Sequence, residues 1–198
     1  MTSAWRNRQA PIRIGAVVAL ALAIAFVVWL VVRGNDNSSS TAKTSTVHKP
    51  GKKTPKARET VRAASPQTLR ALAQASGHPI YWAGAQPRVK YELTQVTDGR
   101  IYIRYLPKGV PIGDRHATYL IVATYPVKDA YKAVQTAAKE SGAVTLHIPR
   151  GGLAVYNQSA PTNVYFSYPG STFQVEVFDP NPSRARQLVR AGAIRPVA

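Results

Sequence analysis

One segment of the chain is apolar throughout, whereas apolar positions elsewhere alternate or recur with a helical period. The apolar run extends from Ile14 to Val32 and is closed by Arg33. Nineteen residues at about 1.5 Å per residue give roughly 28 Å, which is enough to cross the hydrocarbon core of a bilayer. The sequence therefore predicts one transmembrane helix over residues 14–33. Its membrane-spanning residues include Ile14, Gly15, Phe26, Trp29 and Val32.

The ends of this segment predict an uncleaved signal-anchor in the cell membrane. Arg6, Arg8 and Arg13 precede the apolar run, and no acidic residue lies among them. The run is longer than the core of a cleavable signal, and its end offers no Ala-x-Ala site. Basic residues also follow the run, but Asp36 and a Ser/Thr stretch dilute them. We expect residues 1–13 to be a cytoplasmic tail and the C-terminal domain to be extracytoplasmic, with a cytoplasmic domain as the alternative.

The apolar segment also predicts the first partners of the chain. The lipid bilayer is the expected partner of residues 14–33. Gly15, Ala19 and Ala23 recur at four-residue spacing, which is the small-residue pattern of packed membrane helices. Homodimerisation through this face is therefore one hypothesis, and the abundance of alanine in the segment is the alternative explanation.

Residues 34–64 have the composition of a flexible linker. They are rich in Ser, Thr, Lys and Pro and contain almost nothing that could be buried, as residues 38–41 and 49–56 illustrate. We expect this segment to be disordered and to hold the following domain away from the membrane.

Residues 65–198 show the patterns of a single globular domain, beginning with a helix and a hairpin. Ser65 and Pro66 form the start signal of a helix that Gly77 ends. A short strand is predicted over residues 79–83. Strands over 89–96 and 100–106 flank Asp98-Gly99, which is a strong hairpin signal.

The second half of the domain repeats this alternation of strands and helices. A buried strand over 119–125 precedes a helix that begins at Pro126 and ends before Gly142. Strands 144–148 and 153–157 pair around two glycines, which would place His147 opposite Tyr156. Strands 164–168 and 173–178 and a helix over 182–191 complete an α+β domain with a mainly antiparallel sheet and about three helices.

Charge and composition narrow the class of function. The chain carries a net charge of +17, and residues 67–198 alone contribute fifteen basic against seven acidic residues. A surplus of this kind favours anionic surroundings, such as lipid headgroups or acidic envelope polymers.

The sequence has no cysteine, which excludes disulfides, thiol catalysis and thiolate zinc sites. No nucleophile elbow, P-loop, HExxH or Gly-rich dinucleotide motif occurs, so we expect no cofactor.

The candidate ligand-binding residues lie on the strand after Asp98-Gly99. Arg100, Tyr102 and Arg104 face one way along it, and the intervening apolar residues face the other. If the apolar side packs inward, a basic and aromatic strip remains outside, suited to anionic groups or glycans. Ordinary half-buried sheet residues are the competing explanation. The strand does not fit the RNA-recognition pattern, and nucleic acid is an improbable partner outside the cytoplasm.

The alternative site belongs to the loop that contains Asp114 and His116. An aspartate near a histidine can orient the ring as a general base or supply metal ligands. This pair is the candidate catalytic site of a small membrane-tethered hydrolase or metal-dependent enzyme. Glu176 and Asp179 do not make an acid pair without a third partner. A non-catalytic binding module for an envelope component or a partner protein is the preferred interpretation.

Two resemblances accompany these observations. From Tyr119 onward, the order of strands and helices, with residues 173–178 as a late strand and 193–197 at the end, loosely resembles the βαββαβ plan of SPOR domains. That resemblance implies a glycan-binding module displayed on a signal-anchor and a Lys/Pro-rich tether, with hairpin material inserted between Gly151 and Tyr168.

The Ala- and Arg-rich composition, with residues 79–84 after the first helix, resembles uncharacterised single-pass proteins of high-GC Gram-positive bacteria. It implies a location at the membrane and no particular activity.

Overall fold

The computed structural model describes residues 57–198, which form ten strands, three α-helices and one 3-10 turn. The predicted tail and transmembrane segment, and most of the predicted linker, lie outside the described residues. The strands are β1 (Glu59–Ala64), β2 (Tyr81–Trp82), β3 (Val89–Val96), β4 (Ile101–Pro107), β5 (Ile121–Pro126), β6 (Ala143–Ile148), β7 (Gly152–Asn157), β8 (Ala160–Ser167), β9 (Phe173–Phe178) and β10 (Arg195–Pro196). The helices are α1 (Pro66–Ser76), α2 (Ala130–Ala137) and α3 (Pro182–Arg190), and the 3-10 turn is Pro149–Gly151.

Eight strands form one sheet in the order β1-β3-β4-β5-β9-β8-β7-β6. Every neighbouring pair in this sheet is antiparallel. The short strands β2 and β10 form a separate antiparallel pair. The prediction of a mixed domain with a mainly antiparallel sheet and three helices is confirmed.

The two faces of the sheet are covered differently. On the first face, α1, α3 and the β2–β10 pair bury the largest core cluster, which includes Leu69 of α1, Trp82 of β2 and Val189 of α3. On the second face, α2 packs its Val134 and Ala137 against Val155 of β7 and Tyr165 of β8. Burial of apolar area on both faces provides the main driving force for this arrangement.

Helix α1 begins and ends where the sequence predicts. The Ser65 Oγ accepts a hydrogen bond from the Thr68 N–H at 3.1 Å, and Gly77 ends the helix with φ of 66°. Helix α2 is shorter than predicted, because Pro126 is the last residue of β5 and Asp129 has a left-handed φ of 55° directly before the helix. The prediction that this helix begins at Pro126 is wrong.

The turn between β6 and β7 also differs from the expected two-residue loop. Pro149–Gly151 form a 3-10 turn in which Arg150 has φ of 65°. This longer connection pairs His147 with Leu153, so the predicted pairing with Tyr156 is wrong. The register along an antiparallel hairpin follows its turn, so one wrong turn changes every pair.

The domain begins earlier than predicted. Composition places residues 59–64 at the end of the disordered linker 34–64, but they form β1 and pair with residues 91–96 of β3. The proposed start of the domain at residue 65 is therefore too late. Within residues 57–198, no helix is both long enough and apolar enough to cross a bilayer.

Candidate functional site

Two arginines lie over tyrosine rings beside helix α3. The Arg186 guanidinium is 5.1 Å from the centre of the Tyr156 ring, and the Arg150 guanidinium is 5.4 Å from the centre of the Tyr168 ring. Both distances are typical of cation–π pairs. Together with Arg190 these residues form what we call the Arg/Tyr surface, which consists of Arg150, Tyr156, Tyr168, Arg186 and Arg190.

Local backbone geometry brings Arg150 to this surface. Arg150 occupies the left-handed conformation inside the 3-10 turn, between Pro149 and Gly151. A Cβ placed on Gly192, just after α3, would lie 3.2 Å from the Pro149 Cγ. The β6–β7 turn therefore packs against the C-terminal end of α3, which places Arg150 beside that end of the helix.

Helix α3 presents its other arginines because its apolar residues face the sheet. Ala185 and Val189 are buried, and Asn181 caps the helix by accepting a hydrogen bond from the Ser183 N–H at 3.0 Å. The outward side forms a shallow cavity of about 480 Å³. Its lining residues are Ser183, Arg186, Gln187, Arg190 and Ala191.

Several carboxylates of the domain have internal partners. Ion pairs join Glu92 to Arg104, Asp98 to Arg100, Asp114 to His116 and Asp179 to Arg184. Within residues 57–198, no carboxylate forms an ion pair with Arg150, Arg186 or Arg190. The charge that remains accessible is therefore mainly positive.

A guanidinium stacked on a ring is suited to binding anions. Stacking occupies one planar face of the group and leaves its N–H edges free for paired hydrogen bonds to a carboxylate or phosphate. The Tyr168 ring packs closely on the backbone of Gly152, where an added Cβ would lie 2.7 Å from the Tyr168 Cε1. The Arg/Tyr surface can thus hold anionic groups at defined positions.

The three predicted residues on β4 share one face, but the prediction that they form an exposed strip is wrong, because the Arg100 and Arg104 side chains are only 21% and 13% exposed and Tyr102 packs against a core cluster. Ile101 and Ile103 are buried on the first face, and Arg100, Tyr102 and Arg104 share the second face. Each of the three also has an internal partner. The Arg100 Nε donates to Asp98 at 2.8 Å, and the Tyr102 ring packs edge-on against Tyr125 at 5.7 Å.

Arg104 anchors the loop over residues 108–120. Its Nη1 donates to the Glu92 carboxylate at 2.6 Å and to the Asp114 carbonyl at 2.7 Å, and its Nη2 donates to the His116 carbonyl at 2.9 Å. Glu92, which is 1% exposed, also accepts from the Gly113 N–H at 2.5 Å. Arg104 and Glu92 together fix the loop onto the second face.

The structure brings Asp114 and His116 into contact. The His116 Nδ1 lies 3.1 Å from both carboxylate oxygens of Asp114, and the Tyr119 hydroxyl donates to the same carboxylate at 3.1 Å. Hydrogen bonds from the His116 backbone and side chain lower the pKa of Asp114. The pair can orient the exposed ring with its Nε2 available. Within residues 57–198, no cluster of three His, Cys, Asp or Glu side chains could hold a metal ion.

A buried carboxylate with three donors lies at the centre of the sheet. Glu176 is 4% exposed and accepts hydrogen bonds from the Tyr165 hydroxyl at 3.0 Å, from the Asn163 Nδ2 at 2.5 Å and from the Tyr125 hydroxyl. Burial raises the pKa of Glu176, and the three donors oppose that effect. Burial likewise raises the pKa of Tyr125 and Tyr165. The network is enclosed between β5, β8 and β9, where it joins three strands.

The sequence alone did not predict the Arg/Tyr surface or the Glu176 network. Arg150 and Tyr168, like Tyr156 and Arg186, are far apart along the chain and meet only when the sheet and α3 are assembled. The available signal was the alternation in β9, which places Glu176 on the face opposite Val175 and Val177.

Comparisons of the chain with protein-family models, with curated proteins and with solved structures give no match. The resemblance to SPOR domains stays a prediction. The hairpin material expected between Gly151 and Tyr168 corresponds to β7 and β8.

Proposed function

We propose that this protein is a membrane-anchored, non-catalytic binding module for an anionic component of the cell envelope. Residues 14–33 hold it in the membrane, the N-terminal tail is cytoplasmic and the domain from β1 onward is extracytoplasmic. The observation that carries the proposal is the Arg/Tyr surface, where two stacked arginines and Arg190 have no carboxylate partner within residues 57–198.

Charge and geometry support the same class of ligand. Residues 67–198 contain fifteen basic and seven acidic residues, and several of these acids are held in internal ion pairs, so the domain attracts anions over its surface and not only at one residue. Tyr156 and Tyr168 each have one ring face covered by an arginine, which favours anionic groups over sugar rings as the first contact. A polymer bearing phosphate or carboxylate groups could engage several arginines at once.

Co-sedimentation with purified cell wall tests the proposal. The full-length protein in mild detergent should pellet with the wall at about 20 mM salt and stay in the supernatant near 1 M salt. The reason is that the Debye length, over which charges interact, falls from tens of ångströms to about 3 Å between these two conditions. Vesicles of anionic lipid form the second arm, and stronger binding to them would assign the surface to headgroups. Absence of wall binding at low salt would refute the envelope-polymer proposal.

The orientation in the membrane needs a separate test. A reporter that is active on only one side of the membrane can be fused after Ala198. Activity outside the cytoplasm is the expected result. Activity inside the cytoplasm would contradict the proposed topology and favour an anchored cytoplasmic domain.

A small hydrolase or metal-dependent enzyme is the second candidate function. The observation that favours it is the contact of the His116 Nδ1 with Asp114, which is the arrangement that orients a catalytic base. Any hydrolytic activity of the purified protein should then be lost in H116Q and kept in the neighbouring variant R115Q. Equal activity in both variants would exclude this loop as the catalytic site.

A further inference from the structure

Among residues 57–198, β1 is the outermost strand at one edge of the eight-stranded sheet. It pairs with β3 from Glu59 opposite Val96 to Ala64 opposite Tyr91, without interruption. Five of its six residues are exposed. It contains neither proline nor a bulge, two of the devices that protect a sheet edge from pairing with another chain. Such an edge can accept a further strand.

Alternate residues of β1 direct their backbone N–H and C=O groups away from the sheet. The carbonyl of Arg58 accepts from the Thr97 N–H at 3.0 Å, so the backbone of residue 58 points toward β3. Hydrogen-bonding direction alternates along an antiparallel strand. The N–H and C=O groups of Glu59, Val61 and Ala63 therefore point away from the sheet.

The side chain at the centre of this edge is apolar. Val61 is 43% exposed and is the one exposed large hydrophobic side chain within residues 57–198. An exposed valine on an open strand is suited to cross-strand packing, where branched side chains stabilise the pairing of two strands.

We propose that two copies of this protein pair antiparallel through β1, about a two-fold axis at Val61, to form a continuous sixteen-stranded sheet from two sheets of eight strands. Val61 then lies opposite Val61 of the second copy, and Glu59 lies opposite Ala63. Hydrogen-bonded pairs at these positions supply about six inter-chain bonds.

The charges on β1 select this register. An axis at Glu59 would oppose the two Glu59 carboxylates, and an axis at Arg62 would oppose the two Arg62 side chains. An axis at Thr60 would place Arg58 of each copy opposite Arg62 of the other copy. Like charges directly opposite each other destabilise a strand pair.

Two axis positions remain after this comparison. An axis at Ala63 pairs only residues 62–64 within the strand, because Ser65 already caps α1. The axis at Val61 pairs residues 58–64, places Thr60 opposite Arg62 and opposes no like charges. It is therefore the register in which the most backbone groups are satisfied.

This interface leaves the proposed binding surface free. β1 and β6 are opposite ends of the sheet, and the β6–β7 turn carries Arg150. A dimer joined at β1 would carry two Arg/Tyr surfaces, which raises the avidity for a repeating polymer. The pairing itself does not depend on the proposed ligand.

Cysteine scanning of the full-length protein tests the register, because the chain has no native cysteine. T60C, V61C, R62C and the exposed α2 control K132C are oxidised in detergent at equal concentration. Opposed residues in a hydrogen-bonded pair have Cα atoms about 5.5 Å apart, within the disulfide range. V61C should give the most cross-linked dimer. A maximum at T60C or R62C, or V61C cross-linking no stronger than K132C, would overturn the proposal.

A proline substitution tests the pairing independently. V61P removes an outward N–H and leaves the β1–β3 ladder intact, whereas V61T retains it. Sedimentation should show that V61P is monomeric and V61T dimeric, and their unfolding midpoints should agree once both are diluted to monomers. A dimer that persists in V61P is held elsewhere, for example through Gly15, Ala19 and Ala23, and would overturn the proposal. A monomeric wild type would also overturn the proposal.

Discussion

The hydroxyl of Tyr165 donates a hydrogen bond of 3.0 Å to the carboxylate of Glu176, in the middle of the sheet. Asn163, which lies on β8 with Tyr165, donates a second hydrogen bond to the same carboxylate. Tyr125 on β5 donates a third from the opposite side of β9. Three donors compensate part of the cost of burying the charge, but burial is the larger influence and raises the pKa of Glu176. The stability of the domain should therefore depend on pH.

The variant E176Q should remove one component of that dependence. A carboxyl with a raised pKa in the folded state stabilises most below its ordinary value of 4.5, and this stabilisation is lost as the pH rises through the folded pKa. Each unit of increase corresponds to about 1.4 kcal/mol. Urea unfolding between pH 4.5 and 8 should show a decline in wild type that is weaker in E176Q. Parallel curves would contradict the role of Glu176.

The variant Y125F should destabilise the folded domain at neutral pH. It removes one donor from a buried carboxylate while keeping the ring, and the expected loss is about 1–3 kcal/mol. Y131F is the matched control, because Tyr131 on α2 is only half-buried. Equal unfolding midpoints for both variants would show that the Tyr125 hydroxyl contributes little.

The variant R104M should be strongly destabilising. It leaves Glu92 buried without its partner at 2.6 Å and releases the carbonyls of Asp114 and His116. Loss of one member of a buried ion pair costs about 3–5 kcal/mol. The double variant E92Q/R104M should recover part of that loss because no isolated charge remains. A double variant less stable than R104M would contradict this explanation.

The variant G152A should disturb both the fold and the Arg/Tyr surface. The new Cβ would lie 2.6 Å from the Ile148 Cγ1 and 2.7 Å from the Tyr168 Cε1. Overpacking of this kind costs about 1–3 kcal/mol and should shift the ring that supports Arg150. G170A is the control, since its Cβ meets nothing within 4 Å and only its positive φ is strained. Wall binding should weaken in G152A and persist in G170A.

Local sequence signals predicted most of the secondary structure. Ser65-Pro66, Gly77 and Asp98-Gly99 act within a few residues, so α1 and the β3–β4 hairpin follow the prediction. Strand β1 was missed because residues 59–64 are polar and exposed and are ordered through pairing with β3. Composition alone cannot distinguish such an edge strand from a linker.

The site was harder to predict because its contacts are long-range. The alternation on β4 correctly indicated that Arg100, Tyr102 and Arg104 share a face, but not that Glu92 on the neighbouring strand pairs with Arg104. Arg150 reaches Tyr168 through a left-handed turn residue, a conformation unusual for arginine and not indicated by the sequence.

The most direct measurement compares two charge-matched variants in cell-wall binding. The triple variant R150Q/R186Q/R190Q removes the cations of the Arg/Tyr surface, and K108Q/K128Q/K132Q removes three exposed lysines elsewhere. At about 1 kcal/mol per basic residue near an anionic surface, the first variant should bind roughly 100-fold more weakly than wild type. The second should retain most of the affinity. Equal losses in both variants would show that binding follows net charge alone and would contradict a specific site beside α3.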